Sequence, residues 1–199
     1  MTHSVQTEAN EGRVNGGRLF VVSAPSGAGK TTLCDAARRR LPSLVYSVSS
    51  TTRVPRKGEQ EGKDYFFVTD AQFREGIHKG QWAEWAKVHD NYYGTAARFI
   101  EDHLDAGRDV LLDIDVQGAA QILRRYPDAV TIFIMTPSMD ILRQRITARG
   151  LDSAEVIDKR MKNAEAEIAC QGTYRHVLIN DDLDATISRL VAILKGKAG

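Results

Sequence analysis

Short apolar runs alternate with amphipathic stretches along most of the chain. "LFVVSA" at 19–24 is apolar and rich in β-branched residues, the composition of a parallel strand buried on both faces. A glycine-rich turn follows it, then a helical stretch over 30–41 closed by Pro42. "LVYSVS" at 44–49 reads as a second strand and "YFFV" at 65–68 as another. A helix is expected over 70–79, with Asp70 as its N-cap. "QWAEWAKV" at 81–88 alternates as a strand does, and "DNYYGT" at 90–95 reads as a turn. The spacing predicts a helix over 96–106, stopped by Gly107. "DVLLDID" at 109–115 is the clearest buried strand, with its carboxylates at and near the C-terminal end. "VTIFIM" at 130–135 is a further strand, ended by Thr136-Pro137. Helices are expected over 139–149, 153–170 and 183–194, with "HVLIN" at 176–180 as the last strand. Strands that alternate with helices in this way build a parallel α/β sheet with helices on both faces. The alternation breaks between Ser49 and Tyr93, where the strands are short and polar, and this stretch reads as a small antiparallel insert on one edge.

Composition narrows the class. A hydrophobic share of 42% over 199 residues is enough for the core of one soluble domain. The formal net charge of +1 gives no support for wholesale nucleic-acid or membrane binding. The one dense basic cluster, Arg38-Arg39-Arg40, falls at a helix C-terminus, where cations meet the negative end of the dipole. Cys34 and Cys170 lie far apart and outside any CxxC, and the histidines are scattered singly. No disulfide scaffold or zinc set is indicated, so a reducing cytosol is the default. Residues 1–17 are polar and read as a loose tail, not a signal peptide. The apolar runs are too short to cross a bilayer.

"APSGAGKTT" at 24–32 carries the first chemistry. Gly29, Lys30 and Thr31 satisfy the end of the pattern G-x-x-x-x-G-K-[ST], while Ala24 stands where its first glycine would be. With a strand before and a helix after, the backbone N–H groups of Pro25-to-Thr31 turn residues such as Ser26, Gly27, Ala28 and Gly29 converge on phosphate oxygens, and the helix N-terminus adds partial positive charge. Gly27 and Gly29 allow positive φ. Lys30 would neutralise β- and γ-phosphate charge, and the Thr31 hydroxyl would ligate Mg²⁺. The bland alternative is a plain glycine turn.

"SSTTRVPRKGE" at 49–59 carries the second. Arg53 and Arg56 offer forked donors that suit a phosphate, and Tyr65 and Tyr93 add phenolic donors. By themselves these arginines are equally two solvated loop cations. A chain with a phosphate-binding loop is a switch, a motor or a kinase for a small acceptor, and the acceptor site decides among them.

At this point the residues resemble a known family. "SVSSTTRVPRKGE", "GKDYFF", "EWA", "NYYGT" and "LDIDVQGA", in this order behind the phosphate loop, are similar to guanylate kinases over about residues 17–194. The resemblance implies an α/β fold: a P-loop NTPase core with a parallel sheet flanked by helices, a small antiparallel GMP-binding insert and a helical lid. The core would span 18–48 and 96–199, the insert about 49–95 and the lid about 139–165. It implies that Arg53 and Arg56 grip the GMP phosphate with help from Tyr65 and Tyr93. Ser49, Glu84 and Thr95 would read the guanine, and Asp113 and Asp115 would lie near the phosphates and Mg²⁺, with Asp115 among the GMP-binding residues and Asp113 meeting Mg²⁺ through water. Thr95 stands where the family often has serine, and keeps the hydroxyl. Arg145, Arg149 and Arg160 would fall in the lid and meet the triphosphate of ATP. Asn180 matches a position near the adenine, and equally well caps the next helix.

The base assignment also has its own physics. Guanine N1–H and N2–H₂ are adjacent donors, and one carboxylate accepts both. Adenine presents an acceptor at N1, which would face Glu84 lone pair to lone pair. A site built on such hydrogen bonds rejects the wrong base by roughly 10⁴ or more. Taken alone, Glu84 between Trp82 and Trp85 is a surface carboxylate. No general base is needed, because a phosphate monoester with its second pKa near ~6 is already largely ionised at neutral pH. The work is alignment and charge neutralisation. Arg145 and Arg149 are four apart and share one helix face, whereas Arg143 is off that register and reads as solvated. Asp113 and Asp115 differ by two and would share a strand face, with helix capping the alternative for Asp115. The expected reaction is ATP plus GMP, or dGMP, to ADP plus the nucleoside diphosphate. The rivals are a non-enzymatic scaffold, a kinase for a sugar phosphate and an NTPase switch.

Overall fold

The computed structural model describes residues 16–88, 90–148, 150 and 153–197. Residues 1–15 of the expected tail and Arg149 lie outside them. In chain order the elements are β1 (Leu19–Ser23), α1 (Lys30–Arg40), β2 (Val45–Tyr46), β3 (Ser50–Thr51), β4 (Phe66–Phe67) and α2 (Asp70–His78). They continue with β5 (Trp82–Val88), β6 (Asn91–Ala96), α3 (Ala97–Asp105), β7 (Val110–Asp113), α4 (Val116–Arg125) and β8 (Val130–Met135). The chain closes with α5 (Met139–Thr147), α6 (Ala154–Ala169), β9 (His176–Ile179) and α7 (Leu183–Leu194).

Five strands form a parallel sheet in the order β2-β7-β1-β8-β9. All five residues of β1 are buried, which is why its run is apolar without alternation. The two faces nevertheless serve different layers. Phe20 and Val22 join Leu111, Ile132 and Ile134 in a core closed by α1, α5, α6 and α7. Leu19 and Val21 join Val110 and Leu112 in a second core closed by α3 and α4. A smaller four-stranded sheet, β4-β3-β6-β5, forms the insert, with α2 against it. It is antiparallel except for the pair β3–β4, which is parallel.

Three expectations are corrected. "DNYYGT" is not a turn: Asn91–Ala96 is strand β6, paired on both sides, with Tyr92 buried on one face and Thr95 on the other. "LVYSVS" is not one strand. Val45–Tyr46 belongs to the large sheet and Ser50–Thr51 to the small one, so the chain crosses between sheets at 47–49. Helix α2 is capped by Thr69, one residue earlier than expected. Thr69 accepts from Gln72 N, and the Gln72 side chain accepts from Thr69 N at 2.8 Å.

Phe73 anchors the insert. It is fully buried, with Trp82 stacked at 4.2 Å and Tyr92 at 5.2 Å between centroids. Phe73→Ala is expected to cost about 3–5 kcal/mol in urea unfolding. A loss below about 1 kcal/mol would contradict this packing.

Candidate functional site

Parallel α/β sheets gather their polar groups at the C-terminal strand ends. Here β1 ends at Ser23, β7 at Asp113 and β9 runs into Asn180, all beside the loop 24–29. Gly27 and Gly29 both have φ of 96°. Gly29 has a second reason to be glycine, since a Cβ there would stand 2.5 Å from Asn180 Nδ2. That Nδ2 donates to Ala28 O at 2.8 Å, so the last strand braces the loop from behind. Asn180 therefore does not cap α7, a task Asp182 performs by accepting from Ala185 N at 2.7 Å. Its backbone oxygen accepts from Arg145 at 2.9 Å.

The loop lines a cavity of about 320 Å³ with Ala24, Pro25, Ser26, Gly27, Gly29, Lys30 and Thr31. Ala28 is fully buried behind it. Glu167 of α6 also lines this cavity, although 137 residues separate it from Lys30 and no spacing signals it. Burial raises its pKa, with Asp115 adding to the effect and Lys30 opposing it. The Lys30 ammonium is ion-paired with Asp113. Asp113 also lies 3.4 Å from the Tyr46 hydroxyl, whose pKa is pushed up by burial and then by that carboxylate.

A second cavity, about 410 Å³, is lined by Ser49, Arg53, Arg56, Tyr65, Glu84, Tyr93, Asp113 and Asp115. Eight positions chosen from distant stretches of the chain thus face one space. A third cavity of about 390 Å³ joins the two, since it is lined by Lys30 and Thr31 on one side and Ser49, Glu59 and Tyr65 on the other. Tyr65 and Tyr93 meet edge to face at 6.0 Å.

The arginine loop is organised by a carboxylate. Glu59 takes Arg53 at 2.8 and 3.0 Å through both oxygens, and accepts Arg56 N at 2.8 Å. The Arg53 hydrogen bond, then the Arg56 amide, hold its pKa below the usual range. The motif showed Glu59 only as the end of a turn. Its role as partner became visible once the loop had folded back.

Glu84 is buried, at 6% exposure, so the surface reading of this carboxylate fails. Thr95 lies opposite it on β6 and donates to Glu84 Oε1 at 2.6 Å. Burial pushes the Glu84 pKa up to about 7, the Thr95 hydroxyl opposes that rise, and Asp115 adds to it. Asp115 does not extend β7. It caps α4, accepting from Gly118 N at 2.8 Å, so Asp113 and Asp115 do not share a strand face.

The expected lid cations divide. Arg145 lies on α5 and Arg160 on α6, and Arg149 lies outside the described residues. Neither Arg145 nor Arg160 lines the loop cavity. Arg143 pairs with Asp158 at 2.8 Å, a surface bridge between the two helices.

With this geometry in place, the chain can be set beside known proteins. A family model described as guanylate kinase matches residues 16–197. The chain belongs to the guanylate kinase family. A guanylate kinase of Dechloromonas aromatica is 49% identical over 179 residues, covering 90% of this chain and 89% of that protein. One from Caldanaerobacter subterraneus is 46% identical over 178 residues, covering 89% and 86%. A crystal structure of guanylate kinase from Anaplasma phagocytophilum superposes with a TM-score of 0.73 at 36% identity, covering 92% of this chain and 87% of that one. The α/β architecture with its separate insert sheet is that of the family, and the chain is an enzyme of it. Among the described residues no helix is long and apolar enough to cross a membrane.

The titration of Glu84 has a stability consequence. Between the ordinary value of 4.5 and about 7 the folded chain keeps a proton on Glu84 that the unfolded chain releases. Stability from this group therefore falls as pH rises through that window. Glu84→Gln does not titrate. Relative to the native chain it should gain up to ~3 kcal/mol between about pH 5 and about pH 8 in urea titrations. An equal difference at both pH values would mean that Glu84 stays charged throughout.

Proposed function

We propose that this chain transfers the γ-phosphoryl group of ATP to GMP, giving ADP and GDP, and accepts dGMP as well. The observation that carries the proposal is the second cavity. It sets a buried carboxylate, Glu84, in one space with Arg53, Arg56, Tyr65 and Tyr93. In this reading the guanidinium groups and phenols hold the acceptor phosphate. Glu84 takes guanine N1–H and N2–H₂, and the hydroxyls of Ser49 and Thr95 serve the base edge. Asp115 lines the same space at the start of α4. No residue here reads a 2′-OH in the sequence pattern, which is why dGMP is included.

On the donor side, residues 24–31 cradle the ATP phosphates and Lys30 moves from Asp113 onto them. Asn180 keeps the loop in shape through Ala28. Mg²⁺ suits the donors present. Thr31 and Asp113 offer hard oxygen ligands to one cavity, and among the described residues no group of three or more His, Cys, Asp and Glu forms a cage of its own. Bound there with the nucleotide phosphates, Mg²⁺ would neutralise charge on the phosphoryl oxygens. The residues supply alignment and positive charge rather than a proton acceptor, since the attacking phosphate oxygen is already ionised. Arg145, Arg149 and Arg160, on a lid spanning about 139–165, complete the charge when the lid closes. The insert, about 49–95, swings toward the core with both nucleotides in place and excludes water. The setting is the cytoplasm.

An acceptor screen tests the function. With ATP and Mg²⁺, a coupled assay for ADP should show turnover with GMP and dGMP, and little with AMP, UMP, CMP or ribose phosphates. Comparable rates with a sugar phosphate would sink it, and ADP release without any acceptor would favour a switch.

Two substitutions separate the halves of the site. Lys30→Ala should lower kcat by roughly 10²-fold or more while GMP binding stays near native. Arg53→Ala should raise KM for GMP by roughly 10–100-fold with ATP affinity little changed. Equal damage to both ligands in either variant would contradict the assignment.

A further inference from the structure

Glu84 stands on β5, an outer strand of the insert sheet. One edge of β5 pairs with β6, and the register shifts between Trp82 and Glu84, just before the carboxylate. The ladder is therefore irregular where the aim of a side chain matters most. The other edge faces helix α4 of the core. There the Gln121 carboxamide donates from Nε2 to Trp85 O at 2.9 Å and accepts from Trp85 N at 3.1 Å. This is the two-bond closure that a paired strand residue would make, supplied by one side chain. The strand is thus held on both edges here, by β6 on one side and by Gln121 on the other.

One helical turn away, three residues earlier in α4, stands Gly118. It is buried, and its amide is taken by Asp115. A Cβ there would come 2.9 Å from Glu84 Oε2. The Glu84 carboxylate thus has Oε1 fixed by Thr95 and Oε2 against bare helix backbone. Helix interiors disfavour glycine, so the absent side chain has its use in the space left for the carboxylate.

We infer that α4 aims the base-reading carboxylate, with Gly118 leaving its space and Gln121 locking its strand, so that both act as positioning residues for recognition of the purine. This rests on the reading of Glu84 given under the proposed function. It adds a division of labour. The base is read against the rigid core helix, and the phosphate is gripped by the arginine loop of the insert.

Guanine and hypoxanthine differ only in the 2-amino group. A carboxylate aimed to accept N1–H and N2–H₂ together separates them, and a tilted one that keeps a single bond does not. The preference for GMP over IMP therefore reports aim, which loss of helix packing alone would leave unmoved. Steady-state kinetics with GMP and with IMP, alongside the KM for ATP and a thermal melt, test it in the full chain. The native chain should favour GMP in kcat/KM by roughly 10–100-fold, the worth of one hydrogen bond to a charged group. Gln121→Ala and Gly118→Ala should each shrink that ratio by roughly tenfold, mainly through a higher KM for GMP, with KM for ATP unchanged. A native ratio in both variants, whatever their melting temperatures, overturns the inference. If Gln121→Ala does not fold, the ratio in Gly118→Ala decides alone. A native chain that phosphorylates neither nucleotide overturns the proposed function itself, and this inference with it.

Discussion

A parallel sheet sealed on both faces by helices leaves its polar groups one place to gather, the edge where the strands end. Val21, Val22, Leu111, Leu112, Ile132 and Ile134 are fully buried, and none of them offers a side-chain hydrogen bond. At that edge Ser23, Asp113 and Asn180 sit beside a loop whose backbone needs partners. The Asn180–Ala28 bond joins elements 152 residues apart and fixes the loop before any ligand arrives. The loop's reorganisation has thus been done during folding.

Charge in this site is paired where it is half-buried and left without a cation where it is buried. Arg53 is held by both oxygens of Glu59, and Lys30 by Asp113. These pairs keep long, flexible cations in one place near water. Glu84 is met by a hydroxyl, and among the described residues no ion pair reaches it. Its raised pKa follows from desolvation before anything else. A carboxylate in that state suits a ligand that brings two N–H donors of its own.

The insert and the core meet where these two arrangements touch. Strand β5 lies along α4 more extensively than along any other helix, and Gln121 and Gly118 are the residues at the seam. The arginine loop hangs from the far side of the same small sheet, between β3 and β4. One sheet therefore carries both the strand fixed to the core helix and, on its far side, the loop that presents the two arginines.

Much of this was legible in the sequence because it is local. The largely apolar runs at 19–24 and 130–135, each carrying a single hydroxyl residue, specified strands buried on both faces. The "GKT" behind the first of them specified a glycine turn into a helix, and the helix 183–194 ended where its apolar period ends. The ordered motifs marked the family, and eight of their residues do face one cavity. What tertiary structure decided were properties that arise between segments. "NYYGT" has the residues of a turn, yet pairing on both edges makes it a strand. Asp113 and Asp115 have strand spacing, yet the chain turns at Ile114 and the second becomes a cap. Glu59 stood only at the end of its motif and Glu167 and Gln121 lie outside any, because a hydrogen-bond partner 6 or 36 residues away, or a cavity shared with Lys30 across 137 residues, has no period to betray it. Local pattern determines which elements form, and only their packing determines which polar groups are brought within reach of one another.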